Sequence, residues 1–181
     1  MEKEIMLVPS STELQELFRE AHLAKHKAYC PYSKFRVGAA LLATSGKIYS
    51  GCNIENASYA LATCAERTAV VKAVSEGEKS FKKLAITSDV ELGFTGPCGS
   101  CRQTLAEFGL DLDVYLVNAK NESKLYKLQE LLPIAFTPSD LEKPRSNHDI
   151  MFIDFGLNGV GVAYQLSLLL NQLVIKLDGV N

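Results

Sequence analysis

Thr63-Cys64-Ala65-Glu66-Arg67-Thr68-Ala69 and, further along, Thr95-Gly96-Pro97-Cys98-Gly99-Ser100-Cys101-Arg102 are the stretches from which the rest of the chain can be read. Reduced to side chains that carry chemistry, they are Cys-x-Glu … Pro-Cys-x-x-Cys. Each falls where a helix is expected to begin. Thr63 reads as a cap, with Cys64, Ala65 and Glu66 in the first turn, Ala69, Val70, Ala73 and Val74 on a buried face, and Gly77 past the end. The second helix is expected from Cys98 to about Phe108, closed by Gly109.

Outward from these stretches the pattern alternates. Ser10, Ser11 and Thr12 precede apolar residues at helical spacing (Leu14, Leu17, Phe18, Ala21, Ala24, Ala28). The Ser10–Glu13 or Thr12–Gln15 pair would make a capping box for a helix to about Ala28. His22 and His26, one turn apart, read as a solvated face in preference to a metal pair. Pro31 breaks the helix. Phe35 to Ala43 is a strand covered on both faces, and Lys47 to Cys52 pairs with it across Ser45-Gly46. Cys30 and Cys52 read as buried small thiols. Further strands are expected at Leu84–Thr87 and Leu112–Val117. Tyr126, Leu128, Leu131 and Leu132 could form a strand or a short helix before Pro133. This order points to one mixed sheet with helices on both faces.

The bulk numbers agree with one compact domain. The chain has 181 residues, a formal net charge of −2 and no basic block. That argues against a surface built for a phosphate backbone. The opening Met1-Glu2-Lys3-Glu4 leads to no signal peptide, and five cysteines with a Cys-x-x-Cys pair suggest metal ligands in a reducing compartment. Residues 1–9 read as a loose arm. The domain is expected to end near Leu141. Residues 142–181 are a C-terminal extension of unknown role, polar at first and then apolar from Gly159 to Leu177. A helix packed on the domain or on another subunit suits that tail better than a membrane span.

Three thiolates can hold one zinc and leave a fourth position for water, whereas a fourth ligand from Cys30, Cys52 or a histidine would close the site into a structural one. Glu66 would have no task in a closed site. Three thiolates on zinc carry an excess negative charge that raises the pKa of bound water. The two helix starts can offset it, and Arg67 and Arg102 can donate to the sulfurs. The polar run Asn53-Ile54-Glu55-Asn56-Ala57-Ser58-Tyr59 reads either as a turn or as a rim of donors and acceptors for a sugar.

The motif set is the known signature of the zinc nucleobase deaminases, in its three-cysteine form. It closely resembles the small, homo-tetrameric cytidine deaminases. Tyr32-Ser33-Lys34-Phe35-Arg36-Val37-Gly38-Ala39-Ala40-Leu41, the 53–59 segment, and Leu131-Leu132-Pro133-Ile134-Ala135-Phe136 with Asp140-Leu141 resemble further stretches of that family in the same order. The resemblance implies a three-layer α/β/α sandwich with a mixed, roughly five-stranded sheet. It implies hydrolysis of cytidine or deoxycytidine, with one zinc per subunit on Cys64, Cys98 and Cys101 and Glu66 as proton carrier. Phe35 would pack on the base, and Asn53 and Glu55 would hold the ribose hydroxyl. Ala57 and Tyr59 would reach a neighbouring subunit's substrate, and Phe136 would stack from across an interface. The expected partners are a free pyrimidine nucleoside and further copies of the chain, not nucleic acid or membrane. The expected setting is the cytosol, with diffusion into the nucleus open to a chain of this size. A deaminase of bases within DNA or RNA, and a non-catalytic zinc-stabilised binding protein, are the competing readings.

Overall fold

A computed structural model describes residues 4–5 and 11–145. Most of the arm at 1–9 and nearly all of the extension at 142–181 therefore lie outside the described residues.

The first helix, α1, spans Thr12–Lys25. Its cap is neither of the expected pairs. Ser11 has the extended backbone a cap requires, and its Oγ accepts from the Leu14 N–H at 3.3 Å. The helix stops short of Ala28. The Tyr29 N–H turns instead to the Asn53 carbonyl at 3.0 Å, which draws the backbone into a bridge with Ile54.

Strand β1 (Val37–Ala43) and strand β2 (Ile48–Cys52) form the expected hairpin, turning at Gly46 with φ 93°. Helix α2 is Ala65–Ser75, β3 is Phe81–Ser88, α3 is Gly99–Ala106 and β4 is Asp113–Val117. The ambiguous stretch resolves into both options: β5 is Ser123–Lys127, followed at once by a one-turn helix, α4, at Leu128–Leu131. A last short helix, α5, is Pro138–Leu141. The sheet order is β2-β1-β3-β4-β5, with β3 and β4 parallel and the other neighbours antiparallel.

Side-chain alternation sorts the strands' residues into two layers. Ala40, Leu42, Ala85, Tyr115 and Val117 pack on Leu17, Phe18 and Ala21 of α1. Ala39, Leu41, Leu84, Ile86, Val114 and Leu116 pack on Ala65, Ala69, Val70 and Ala73 of α2 and Leu105 and Ala106 of α3. The result is the three-layer α/β/α sandwich with a mixed five-stranded sheet. Gly38 lets α1 approach closely: a Cβ there would lie 2.1 Å from the Ala21 carbonyl oxygen.

The register decides where the chain's chemistry gathers. Cys52, Gly38, Thr87 and Val117 sit side by side across the sheet. β2, β3 and β4 all end at this edge, and β1 begins there. The loops to Cys64 and to Cys98 and the segment carrying Phe35 therefore share one edge, the usual place for a site in an α/β sheet.

Two thiols and one histidine depart from expectation. Cys30 and Cys52 are half-buried, not buried, and the Cys52 thiol donates to the Lys27 carbonyl at 3.4 Å. His26 is exposed, as a solvated face requires, but His22 is half-buried beside Phe18 and Leu23. Burial holds its pKa below the ordinary imidazole value.

Candidate active site

Cys64 is the residue just before α2 and Cys98 the residue just before α3, both with extended backbone. Cys64 itself holds the capping position expected for Thr63, because Thr63 is drawn into a bridge with Ile54. Cys101 lies in the first turn of α3 and is buried, Cys64 is half-buried, and Cys98 is exposed. The Cys64 and Cys98 sulfurs are 3.8 Å apart and those of Cys98 and Cys101 3.5 Å. All three lie within 4.8 Å of one another, the one such cluster among the described residues. A tetrahedral zinc with Zn–S bonds of about 2.3 Å separates its sulfurs by about 3.8 Å, so the donor set and its spacing fit zinc.

The thiols do not share charge equally. The Cys64 thiol is drawn below its ordinary value, foremost by the Cys101 thiol, with Arg67 and Cys98 adding to the effect. Cys101, on the other side of that interaction and buried beside Glu66, is pushed up. The two helix starts favour anionic sulfur at Cys64 and Cys98.

Glu66 is 4% exposed. Burial foremost, then the negative Cys64, pushes its carboxyl up to about 6. A carboxyl group held out of water beside a metal site, with a pKa near neutrality, can both take and return a proton.

The two arginines behave differently from one another. The Arg67 Nη2 donates to the Ala62 carbonyl at 2.9 Å and lies 4.0 Å from the Cys64 sulfur. Arg102 does not donate to the sulfurs. Its Nε and Nη1 donate to the Pro97 carbonyl at 2.9 Å and the Leu131 carbonyl at 2.6 Å, which ties the loop before Cys98 to α4. Those two carbonyls are where the hydrogen bonds of the fork go.

The polar rim is organised by side chains bonded to backbone. The Asn53 Nδ2 donates to the Phe35 carbonyl and its Oδ1 accepts from the Val37 N–H, each at 2.8 Å. These bonds hold the chain on both sides of Arg36 and start β1 two residues later than the apolar run suggested. The Glu55 Oε2 accepts from the N–H groups of Tyr32 at 2.9 Å and Ser33 at 3.3 Å. The Ser33 side chain foremost, with those N–H groups, holds the Glu55 carboxyl below the usual carboxylate value. Tyr32, Ser33, Glu55, Asn56, Tyr59 and Ala62 line a cavity of about 390 Å³.

Other expected contacts stand largely in solvent. Phe35 is 39% exposed, Tyr59 75% and Phe136 59%, and Ala57 is exposed. The Tyr59 ring lies 5.7 Å from that of Tyr32, and the Phe136 carbonyl accepts from Gln103 Nε2 at 2.7 Å. Sequence reasoning missed the N–H groups of Tyr32 and Ser33, the Ala62 carbonyl and Gln103. The first three act through backbone atoms, which every residue carries, so no side-chain pattern could have marked them.

Residues 11–117 match the model of the cytidine and deoxycytidylate deaminase zinc-binding region. The chain belongs to this family, and zinc is the metal its three cysteines suit. A cytidine deaminase from Sporosarcina psychrophila is 52% identical over 130 residues, 71% of this chain and 95% of that one. A probable cytidine deaminase from Dictyostelium discoideum is 48% identical over 129 residues, 71% of this chain and 87% of that one. The crystal structure of cytidine deaminase from Burkholderia pseudomallei is similar with a TM-score of 0.65 and 43% identity, covering 67% of this chain and 98% of that one. That from Mycobacterium tuberculosis has a TM-score of 0.61 at 37% identity, covering 70% and 98%. The resemblance read from the motifs is thereby borne out.

Proposed function

We propose that this chain hydrolyses cytidine and deoxycytidine to uridine and deoxyuridine with release of ammonia. The observation that carries the reading is Glu66, a carboxyl group 4% exposed and placed beside three clustered thiols. A structural zinc site has no use for such a group. The identity of the chain to cytidine deaminases over nearly their whole length supports the same reaction.

When bound, zinc supplies a water whose pKa is lowered from roughly 15.7 to about 7 in favourable sites. Glu66 would take a proton from water through a carboxylate oxygen and give it to the ring nitrogen next to the attacked carbon, then carry the water's second proton to the amine, which leaves as ammonia. The water oxygen ends on the ring carbon and its hydrogens leave with nitrogen or remain on the ring. Cys64, Cys98 and Cys101 hold the metal, and Arg67 reduces the charge on the Cys64 sulfur. Glu55 and Asn53 hold the sugar hydroxyl, and Phe35 packs on the base.

Ala57, Tyr59 and Phe136 complete the pocket from neighbouring copies in a homotetramer with shared sites. The exposure of Tyr59 and Phe136 in a single chain supports this role, because large aromatic surface left in water is what an interface covers. The thiol site works only with its cysteines reduced, which suits a cytosolic enzyme of pyrimidine salvage. No described helix is long and apolar enough to cross a membrane. Zinc-loaded protein should release ammonia from free cytidine and not from a cytidine-containing oligonucleotide. Zinc binding without ammonia release from any nucleoside would overturn the reading.

A further inference from the structure

On the deaminase reading, Phe35 forms a wall of the substrate pocket, and the residue after it is held by a cluster of ions that the reaction does not use. The Arg36 Nε and Nη2 donate to the two Asp89 oxygens at 2.7 and 3.1 Å. Lys25, 7% exposed at the end of α1, places its Nζ 3.2 Å from Asp89 Oδ1 and donates to the Ser88 carbonyl at 3.2 Å.

We propose that Lys25, Asp89 and Arg36 form a positioning device that sets the Phe35 wall against the thiol site. Three segments meet in it. Lys25 belongs to α1, Arg36 to the segment entering β1, and Asp89 to the start of the loop that leads to Cys98. Val37 is paired with Ser88 across β1 and β3, so Arg36 and Asp89 face each other one step beyond the last pair. Gly38 lies against α1, and alternation puts Arg36 on that same face. Carried one residue further, the same alternation would set Phe35 toward the opposite face, the one carrying α2, α3 and the cysteines. The Asn53 side chain holds the backbone at Phe35 and Val37, and the fork on Asp89 holds the residue between them. On the loop side, the hydroxyls of Ser88 and Thr95 are 2.6 Å apart, which braces the segment running into Pro97 and Cys98. A shift at Asp89 would therefore move the substrate wall relative to the metal loop, which the Ser88–Thr95 contact holds separately. A planar fork on a carboxylate resists such a shift better than a point charge does.

The Arg36 side chain is 44% exposed and belongs to no core cluster, so Arg36→Gln removes the fork without opening a core. It should raise the KM for cytidine and the Kd for uridine about fivefold, with kcat within about twofold. Zinc content should stay at the wild-type value, and the melting temperature should fall only by the small contribution of a partly exposed ion pair. Arg36→Lys, which keeps the charge but not the fork, should fall between wild type and Arg36→Gln. An unchanged KM and Kd in Arg36→Gln would overturn the proposal, as would a fall in kcat accompanied by loss of zinc or by a larger fall in melting temperature. A wild-type chain that neither turns over cytidine nor binds uridine would instead defeat the deaminase reading itself.

Discussion

The thiol site and the proposed substrate wall share one edge of the sheet but are built by different means. The thiols and Glu66 come from two short stretches, each at a helix start, and four side chains within those stretches carry the whole arrangement. The wall is spread along the chain. Phe35 depends on Asn53, Glu55 on the N–H groups of Tyr32 and Ser33, and the segment as a whole on Asp89 and Lys25. A site concentrated in local motifs should fail sharply when one residue changes. A wall held by many separate contacts should weaken by degrees.

The largest contrast is expected from Glu66→Gln. Turnover should fall by about 10²–10⁴-fold or more, since proton transfer by a placed group is worth about that much. Zinc content by metal analysis and the circular dichroism spectrum should stay as in wild type. Normal turnover in this variant would break the division between the two regions, because the thiol site would then not need its proton carrier.

Glu55→Gln tests the wall from the substrate side. Losing a charge-assisted hydrogen bond should raise the KM about 10–100-fold while kcat changes less. A fall in kcat with KM unchanged would instead place Glu55 with the reacting groups.

Gly38→Ala disturbs the wall from behind. The new methyl meets the Ala21 carbonyl at 2.1 Å, so α1 must move and with it Lys25. Chemical denaturation should record a loss of about 1–3 kcal/mol, the range for overpacking, with zinc content kept.

The smallest effect concerns acid. Arg36 foremost, and then Lys25, hold the Asp89 carboxyl below its free value of 3.8. A depressed carboxyl stabilises the fold fully above its unfolded pKa and loses that contribution as pH falls through the lower folded value. Wild type should therefore lose stability below about pH 4 more steeply than Asp89→Asn does. Parallel urea midpoints measured down the pH scale would check it, and equal slopes would remove Asp89 from the acid response.

Most of the element order could be read from the residues, because apolar periodicity and the breaks at Pro31, Gly77 and Gly109 are local signals. The boundaries were less legible. The apolar run beginning at Phe35 looks like strand throughout, yet Asn53 takes the first backbone groups and β1 begins at Val37. Ser11, not its neighbours, caps α1, because the choice among three adjacent hydroxyls depends on one residue's backbone angles. Arg67 and Arg102 each follow directly after a motif, but only Arg67 faces a sulfur, while Arg102 bonds to the carbonyls of Pro97 and Leu131.

By itself the sequence pointed to the metal chemistry of this protein and to the residue proposed as its proton carrier. Thiolate, carboxylate and spacing within one helical turn are properties of contiguous residues. Tertiary structure alone decided how the two motifs meet, that Glu66 lies out of water, and that Arg36 and Lys25 converge on Asp89. Those facts depend on strand register and on which layer covers which face, and register is set by pairings between residues far apart in the chain.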